Sequence, residues 1–432
     1  MILANGIRYP SDRQTEILDG LAAELDAILA TGTPPTPETV IAACEALAAK
    51  AMTGMFDAEL AELGLDAALL EQQMKEVAAL MSRESLTAKV REELGEDFAS
   101  PRTLTPPHDG GRTLTKQVVP LGVLFHIAAG NVDGLPAFSV VEGLLAGNIN
   151  LLKLPSADNG LSLRMLEELV KAAPALAPYV YVFDTPSEDL AAMERMAALA
   201  DGIVVWGGDG ATQAVRQLAP AGVKLIEWGH KLSFAYATPA GLTDGALSAL
   251  ASHVMETRQL LCSSCQTLFL DTESEEEAQA LCLRLLPHLE EAAAQTPPLD
   301  IGSRAQVTLR LYTEQLEERA GHTDRHSWRG KGCSVTLCEE GPPELSPQFG
   351  NLLVKPLPRA RLVSALRGEK THLQTAALLC AGTERAELTE LLFRAGVVRV
   401  TGPGSMSHTT ALDAHDGEYP LRRYTRVVEY RD

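Results

Sequence analysis

The amino-acid sequence predicts an α/β protein built around a parallel sheet, with a largely helical region ahead of it. Residues 12–96 are rich in Ala, Leu, Glu and Lys, with apolar residues at helical spacing. Residues 100–111 form a Pro/Gly-rich connection, and beyond it short apolar runs alternate with helical patterns. At 432 residues the chain is too long for a single hydrophobic core, so two or three domains are expected.

Taken in order, Ser11 or Asp12 is placed to cap a first helix, and Pro34, Pro35 and Pro37 separate it from the second. Residues 123–129 and 150–153 read as strands flanking a helix near 136–145. A helix over 161–172, a strand over 180–183, a helix near 187–199 and a strand over 202–206 follow. Such short, nearly unbroken apolar runs mark strands buried on both faces of a parallel sheet. A second α/β stretch covers 232–400, with strands near 266–270 and 352–354 and an acidic helix near 273–295. The alternating polar tail 421–430 suits an added edge strand.

The formal net charge of -20 repels phosphate backbones and anionic lipid, so nucleic acid is not an expected partner. Residues 1–12 lack a basic region followed by an apolar run, and no secretory signal is expected. The weakly charged stretch 118–152 is broken by Pro120, Asp133, Pro136 and Glu142, so membrane insertion is not expected either. Seven cysteines without regular spacing do not form a disulfide framework, which fits a reducing cytoplasm.

Four segments carry candidate chemistry. Cys262 precedes the apolar run 265–270; a cysteine at a helix end before a buried strand can face a cleft, where its thiolate is a nucleophile. The bland alternative is a small core residue. Cys262 and Cys265 also form a CxxC, but no second ligand pair completes a zinc site, so no metal is expected. Gly207 and Gly208 lie between a strand and a helix, where free backbone N–H groups can hold a phosphate; glycine also serves there for purely steric reasons. Lys153 ends a parallel strand, a position suited to a nucleotide ribose or phosphate, or to a solvated lysine. Glu227 sits beside the tight turn Gly229-His230-Lys231, where most glutamates are surface residues.

The order and spacing of six segments resemble the acyl-CoA reductases, a branch of the aldehyde dehydrogenase superfamily. They are PLGVLFHIAAGNVDGLP (120–136), GNINLLKLPS (147–156), VVWGGDGATQAVR (204–216), IEWGHKLSF (226–234), CSSCQTLFL (262–270) and GVVRVTGPGSM…DAHDG (396–417). The resemblance implies an aldehyde dehydrogenase-like fold. A helical N-terminal region and a Rossmann-type NAD(P)-binding domain would span 1–234, an α/β catalytic domain 235–410, and a C-terminal tail that serves oligomerisation 411–432. It places Cys262 at the nucleophile, seven residues before Phe269, and Asn131 at the asparagine whose amide helps form the oxyanion hole. Lys153 falls on the lysine that touches the adenosine ribose, and Gly207 and Gly208 on the turn near the pyrophosphate. Glu227 falls on the glutamate that hydrolytic members use to activate water. Where NAD-preferring relatives carry an acidic residue this chain has Ser156, which leaves room for a 2′-phosphate and favours NADPH over NADH. The Glu-x-Phe-Gly element at the nicotinamide ribose reads Pro347-Gln348-Phe349-Gly350 here, with Phe349 kept and the carboxylate missing.

The expected reaction is NADPH-dependent reduction of an acyl thioester to an aldehyde through an acyl-enzyme on Cys262. Asn131 and a backbone N–H, such as that of Cys262, would hold the oxyanion. The donor is acyl-CoA or an acyl-protein, with an acyl-transferring partner enzyme and a homo-oligomer as the implied assemblies. The alternative enzyme reading is a hydrolytic aldehyde dehydrogenase in which Glu227 is the general base. The alternative from another class is a non-catalytic binding or assembly component.

Overall fold

Structure begins where the sequence pattern is silent, in the first nine residues. In the computed structural model, β1 (Ile2–Ala4) and β2 (Ile7–Tyr9) pair antiparallel around the turn at Asn5 and Gly6, both at positive φ. The residues described are 1–61, 67–108, 110–128, 134–156, 158–321 and 325–431. They divide into two units, Met1–Gly229 with Thr410–Asp432, and His230–Thr409.

In the first unit the expected helical region comprises helices Gln14–Thr31, Pro37–Ala51, Asp57–Ala61, Ala67–Leu80 and Arg83–Leu94. Neither Ser11 nor Asp12 caps the first of them. Both lie in a 3-10 turn, and Arg13 occupies the cap position without a side-chain bond. The second helix has Pro37 in its first turn and the Thr36 hydroxyl accepting from Thr39 N–H. After β3 (Arg102–Leu104) and β4 (Leu114–Pro120) come five mutually parallel strands: β5 (Val123–Ile127), β6 (Ile149–Lys153), β7 (Val180–Phe183), β8 (Gly202–Trp206) and β9 (Lys224–Trp228).

The sheet order is β2-β1-β7-β6-β5-β8-β9. Counted along the chain, the parallel strands stand 3-2-1-4-5, the doubly wound order, and it reverses between β5 and β8. Ligands of such sheets bind outside the carboxyl ends of the strands at that reversal. The sheet holds because both faces are covered. Phe125, Leu151, Val182 and Ile203 are buried beneath Leu144, Leu166 and Met196 of the flanking helices. Each side chain fully buried in this way contributes about 1.5–3 kcal/mol.

The second unit carries β10 (Leu232–Ala237), β11 (Cys265–Leu270), β12 (His326–Gly330), β13 (Cys333–Leu337), β14 (Asn351–Pro356), β15 (Leu373–Leu379) and β16 (Arg399–Thr401). Their order is β12-β13-β14-β11-β10-β15-β16, parallel throughout except at the β12–β13 hairpin. Helices Asp244–Thr257 and Glu275–Gln295 cover one face through Leu247, Leu250, Leu281 and Leu285. Helix Arg385–Ala395 covers the other through Leu388 and Leu392.

The chain then returns to the first unit. The tail is a strand, β17 (Thr425–Tyr430), paired antiparallel with β4 in a separate three-stranded sheet β17-β4-β3. No helix among the described residues is long and apolar enough to cross a membrane.

Candidate active site

Cys262 lies in the turn between helix Asp244–Thr257 and β11, and of the seven cysteines it is the exposed one. Its carbonyl accepts a 2.7 Å bond from the Ser233 hydroxyl of β10, and Ser233 Oγ in turn accepts from Thr375 N–H of β15. The Leu261 N–H donates to Ser264 Oγ, and Ser263, the residue after Cys262, shares a 2.8 Å hydroxyl contact with Ser407. The turn is therefore held internally by Ser264 and from outside by β10 and the segment carrying Ser407, and Cys262 remains exposed. Leu260 and Leu261, which lead into it, are 44% and 38% exposed.

Cys265 has the opposite fate. It begins β11, is fully buried, and burial pushes its thiol up to about 12. A thiol of that kind stays protonated at neutral pH, so a redox role for the CxxC has no chemical support here.

Phe349, the other candidate in this unit, belongs to the loop before β14. Gln348 (φ 64°), Phe349 (φ 52°) and Gly350 (φ 87°) stand consecutively in the left-handed region. Only glycine enters that region without steric cost, and at Gly350 a Cβ would also meet Met255 Sδ at 2.6 Å. The Phe349 N–H donates to the Arg258 carbonyl at 2.9 Å, which joins this loop to the Cys262 turn. Pro347 stands where the carboxylate is missing, and the next residue, Gln348, donates its side-chain amide to the Gln259 carbonyl.

In the first unit, Lys153, Gly207, Gly208 and Glu227 gather at the carboxyl edge of the parallel strands. Lys153 is the last residue of β6 and is nearly buried; its ammonium donates to Ser187 Oγ at 2.8 Å. Burial lowers its pKa, opposed by the charge of Glu188. Ser156 is exposed in the turn that follows. Gly207 and Gly208 connect β8 to helix Asp209–Leu218, where a Cβ at Gly207 would meet Ala211 at 3.0 Å. Gly208 is the N-cap and brings no side chain of its own to cap the helix, whose first turn also carries Asp209; a helix N-terminus of this kind is suited to an anion. Asn131 lies outside the described residues.

Glu227 does not stand as a simple surface residue. Arg216, on the helix after Gly208, grips it bidentately, with Nε to Oε1 at 2.5 Å and Nη2 to Oε2 at 2.7 Å. Both carboxylate oxygens are occupied by one guanidinium.

Sequence reasoning missed the residues that hold these elements. Gln259, Gln266, Ser346 and Asn351 form a buried polar network behind the Cys262 turn. Trp206, Trp228 and His415 stack at the ends of β8 and β9, with ring centroids 4.8–5.6 Å apart. Trp206 ends a strand already recognised and His415 falls within DAHDG, so those signals were available; Trp228 ends β9, which the sequence pattern did not mark.

Doubly wound order in one unit, and an exposed cysteine ahead of a buried parallel strand in the other, together define an aldehyde dehydrogenase-like α/β fold. Solved structures agree. An NAD-dependent aldehyde dehydrogenase from Sinorhizobium meliloti superposes with a TM-score of 0.75 at 15% identity, covering 100% of this chain and 94% of that one. An NADP-dependent glyceraldehyde-3-phosphate dehydrogenase from Bacillus halodurans C-125, complexed with NADP, gives 0.73 at 16% identity, over 100% and 98%. Within that class the chain belongs to the acyl-CoA reductase (LuxC) family, whose model matches residues 13–427. A curated relative, long-chain acyl-protein thioester reductase 2 of Photobacterium leiognathi, is 22% identical over 332 residues. That match takes in 73% of this chain and 65% of the relative's length.

Proposed function

We propose that the protein reduces an acyl thioester to an aldehyde through an acyl-enzyme on Cys262, with NADPH as the reductant. The observation that carries this reading is Cys262 itself, the exposed cysteine on a turn held by Ser233, Ser264 and Ser407. Its thiolate attacks the acyl carbon; the new C–S bond forms as the bond to the carrier sulfur breaks, and the carrier leaves as a thiol. Asn131 supplies the oxyanion amide in this reading. Exposed Leu260 and Leu261 beside the sulfur suit an apolar acyl group. The donor is acyl-CoA or an acyl-protein such as the Photobacterium relative is named for, loaded by an acyl-transferring partner enzyme.

The residues of the first unit fit a nicotinamide dinucleotide. Lys153 makes one hydroxyl bond and keeps ammonium donors for a ribose or phosphate, and the helix N-terminus after Gly208 suits a pyrophosphate. When bound, the reduced nicotinamide supplies the hydride that converts the acyl-enzyme to the aldehyde level. Phe349 would pack near the nicotinamide, and Cys262 leaves as a thiolate when the aldehyde departs. The first unit is thus read as the nucleotide domain and the second as the catalytic domain. Exposed Val427 and Tyr430 on the outer strand β17 support a homo-oligomer built through that edge. A cytoplasmic setting accords with five buried, reduced cysteines.

Ser156 supports NADPH over NADH, since no carboxylate stands there to repel a 2′-phosphate. Ser156→Glu is expected to lower the ratio of kcat/KM for NADPH over NADH about tenfold, a change of ~1.4 kcal/mol. Steady-state assays with both nucleotides measure it, and an unchanged ratio removes Ser156 from the specificity argument.

Arg216 favours the reductase over the hydrolytic alternative. A carboxylate with both oxygens held by a guanidinium is a poor acceptor for a water proton, so the acyl-enzyme survives long enough to be reduced. Arg216→Ala is expected to raise the acid-to-aldehyde product ratio about tenfold. Product analysis by gas chromatography reads the ratio; an Arg216→Ala enzyme that yields no additional acid contradicts this role.

A further inference from the structure

Two loops with unfavourable backbones meet in the second unit. The Cys262 turn leaves its helix through Arg258 (φ 49°) and Gln259 (φ 61°), and the Phe349 loop runs through Gln348, Phe349 and Gly350, all left-handed. Non-glycine residues persist in that region only where their surroundings over-determine them. Here the surroundings converge on a single side chain. Gln259 is 1% exposed. Its Nε2 donates toward three oxygens, those of Cys265 (2.9 Å), Ser346 Oγ (3.0 Å) and Asn351 (3.2 Å). Its Oε1 accepts from the N–H groups of Gly350 (3.0 Å) and Asn351 (3.2 Å). Its backbone carbonyl accepts from the amides of Gln266 (2.8 Å) and Gln348 (3.2 Å). Gln266 closes the ring by accepting from Ser346 Oγ at 2.8 Å and Ser346 N–H at 3.3 Å.

Every one of these partners belongs to the two loops or to the first residues of β11 and β14, which already pair in parallel from Thr267↔Leu353 onward. The strand ladder therefore fixes the strands without the amide, and the amide fixes the loops relative to each other. A primary amide suits this task because it accepts two N–H groups while offering two hydrogens of its own. No hydrocarbon or hydroxyl of similar reach does both.

We propose that Gln259 is a positioning residue that couples the Cys262 turn to the Phe349 loop, so that the reactivity of Cys262 depends on a loop it does not belong to. The proposal rests on the reading of Cys262 as nucleophile and Phe349 as a nicotinamide contact. Alkylation of Cys262 by iodoacetamide, followed by peptide mapping, reports the turn; NADPH affinity reports the loop.

Ser346→Ala, which removes one hydroxyl of the network, is expected to change the Cys262 alkylation rate about threefold without nucleotide present. Gln259→Met should change it about tenfold and weaken NADPH binding by a similar factor. Gln259→Glu should recover toward wild type as pH falls, because protonation restores a donor to the position Nε2 occupies. That pH-dependent rescue is a readout that mere loss of packing would not produce. Should Gln259→Met fail to fold, Ser346→Ala and Gln259→Glu still decide the matter. Folded Ser346→Ala and Gln259→Glu proteins whose Cys262 alkylates within twofold of wild type at every pH overturn the coupling. If wild-type Cys262 alkylates selectively but no thioester is reduced, the functional reading fails, while the alkylation arm still tests the coupling on its own.

Discussion

Cys262→Ala is expected to form no acyl adduct and to lower thioester-dependent NADPH oxidation by about 10⁴-fold or more, because the covalent step loses its only nucleophile. The other cysteines offer no substitute. Cys44, Cys265, Cys282 and Cys333 are buried with thiols pushed up to about 12, and Cys338 to about 11, in each case first by desolvation. Cys380 is partly buried and its thiol is also raised, again first by desolvation. A Cys262→Ser enzyme should fall nearly as far, since a hydroxyl without an adjacent base is a weak nucleophile. Intact-protein mass spectrometry and a 340 nm assay measure the two effects. Retention of a tenth of wild-type activity in Cys262→Ala would move the chemistry to another group.

The second large effect concerns stability. Lys89, Glu93 and Glu142 are each 3–5% exposed, and the Lys89 ammonium lies 2.6 Å from Glu93 and 3.1 Å from Glu142. Glu93 also accepts from the Leu421 N–H, so the cluster ties the C-terminal tail to the helix Leu135–Leu145. Burial pulls the Lys89 pKa down, but attraction to the two carboxylates outweighs it and the net shift is upward. Burial pushes Glu142 up, opposed by Lys89. Lys89→Met leaves two buried carboxylates facing each other without a cation, at a cost of about 3–5 kcal/mol.

The sign of the pH dependence follows from proton counting. A carboxyl whose folded pKa is raised binds more protons in the folded than in the unfolded state, so stability falls as pH rises through that interval. Removing Lys89 raises Glu142 further and widens the interval. The difference in unfolding free energy between wild type and Lys89→Met should therefore be larger at pH 8 than at pH 5.5. Urea unfolding at the two pH values measures it, and an equal difference at both shows that the buried charges are not its source.

How much of this was legible follows the physics of each element. The core strands β5, β7 and β8 read directly from VLFHI, VYVF and GIVVW, because strands buried on both faces carry unbroken apolar runs. Strands β1 and β2 did not, since β2 is a mostly exposed edge of three residues with no period to detect. The cap at Ser11 or Asp12 failed because the chain tightens into a 3-10 turn there. Among site residues, Cys262, Lys153 and the Gly207–Gly208 turn were visible through their neighbours in sequence. The Gln259 network was not: its partners lie up to 92 positions away, and left-handed Arg258, Gln259 and Phe349 leave no compositional trace. The grip of Arg216 on Glu227 is intermediate, joining a helix and the next strand across 11 positions.

The most direct test loads the enzyme in two stages. Purified protein is mixed with an acyl-CoA in the absence of nucleotide, and its intact mass and the modified peptide are determined; NADPH is then added and the released product identified. One acyl group is expected on Cys262, disappearing as an equivalent of aldehyde forms. An acyl group found on a different residue, or one discharged by NADPH as free acid with no aldehyde, would contradict it.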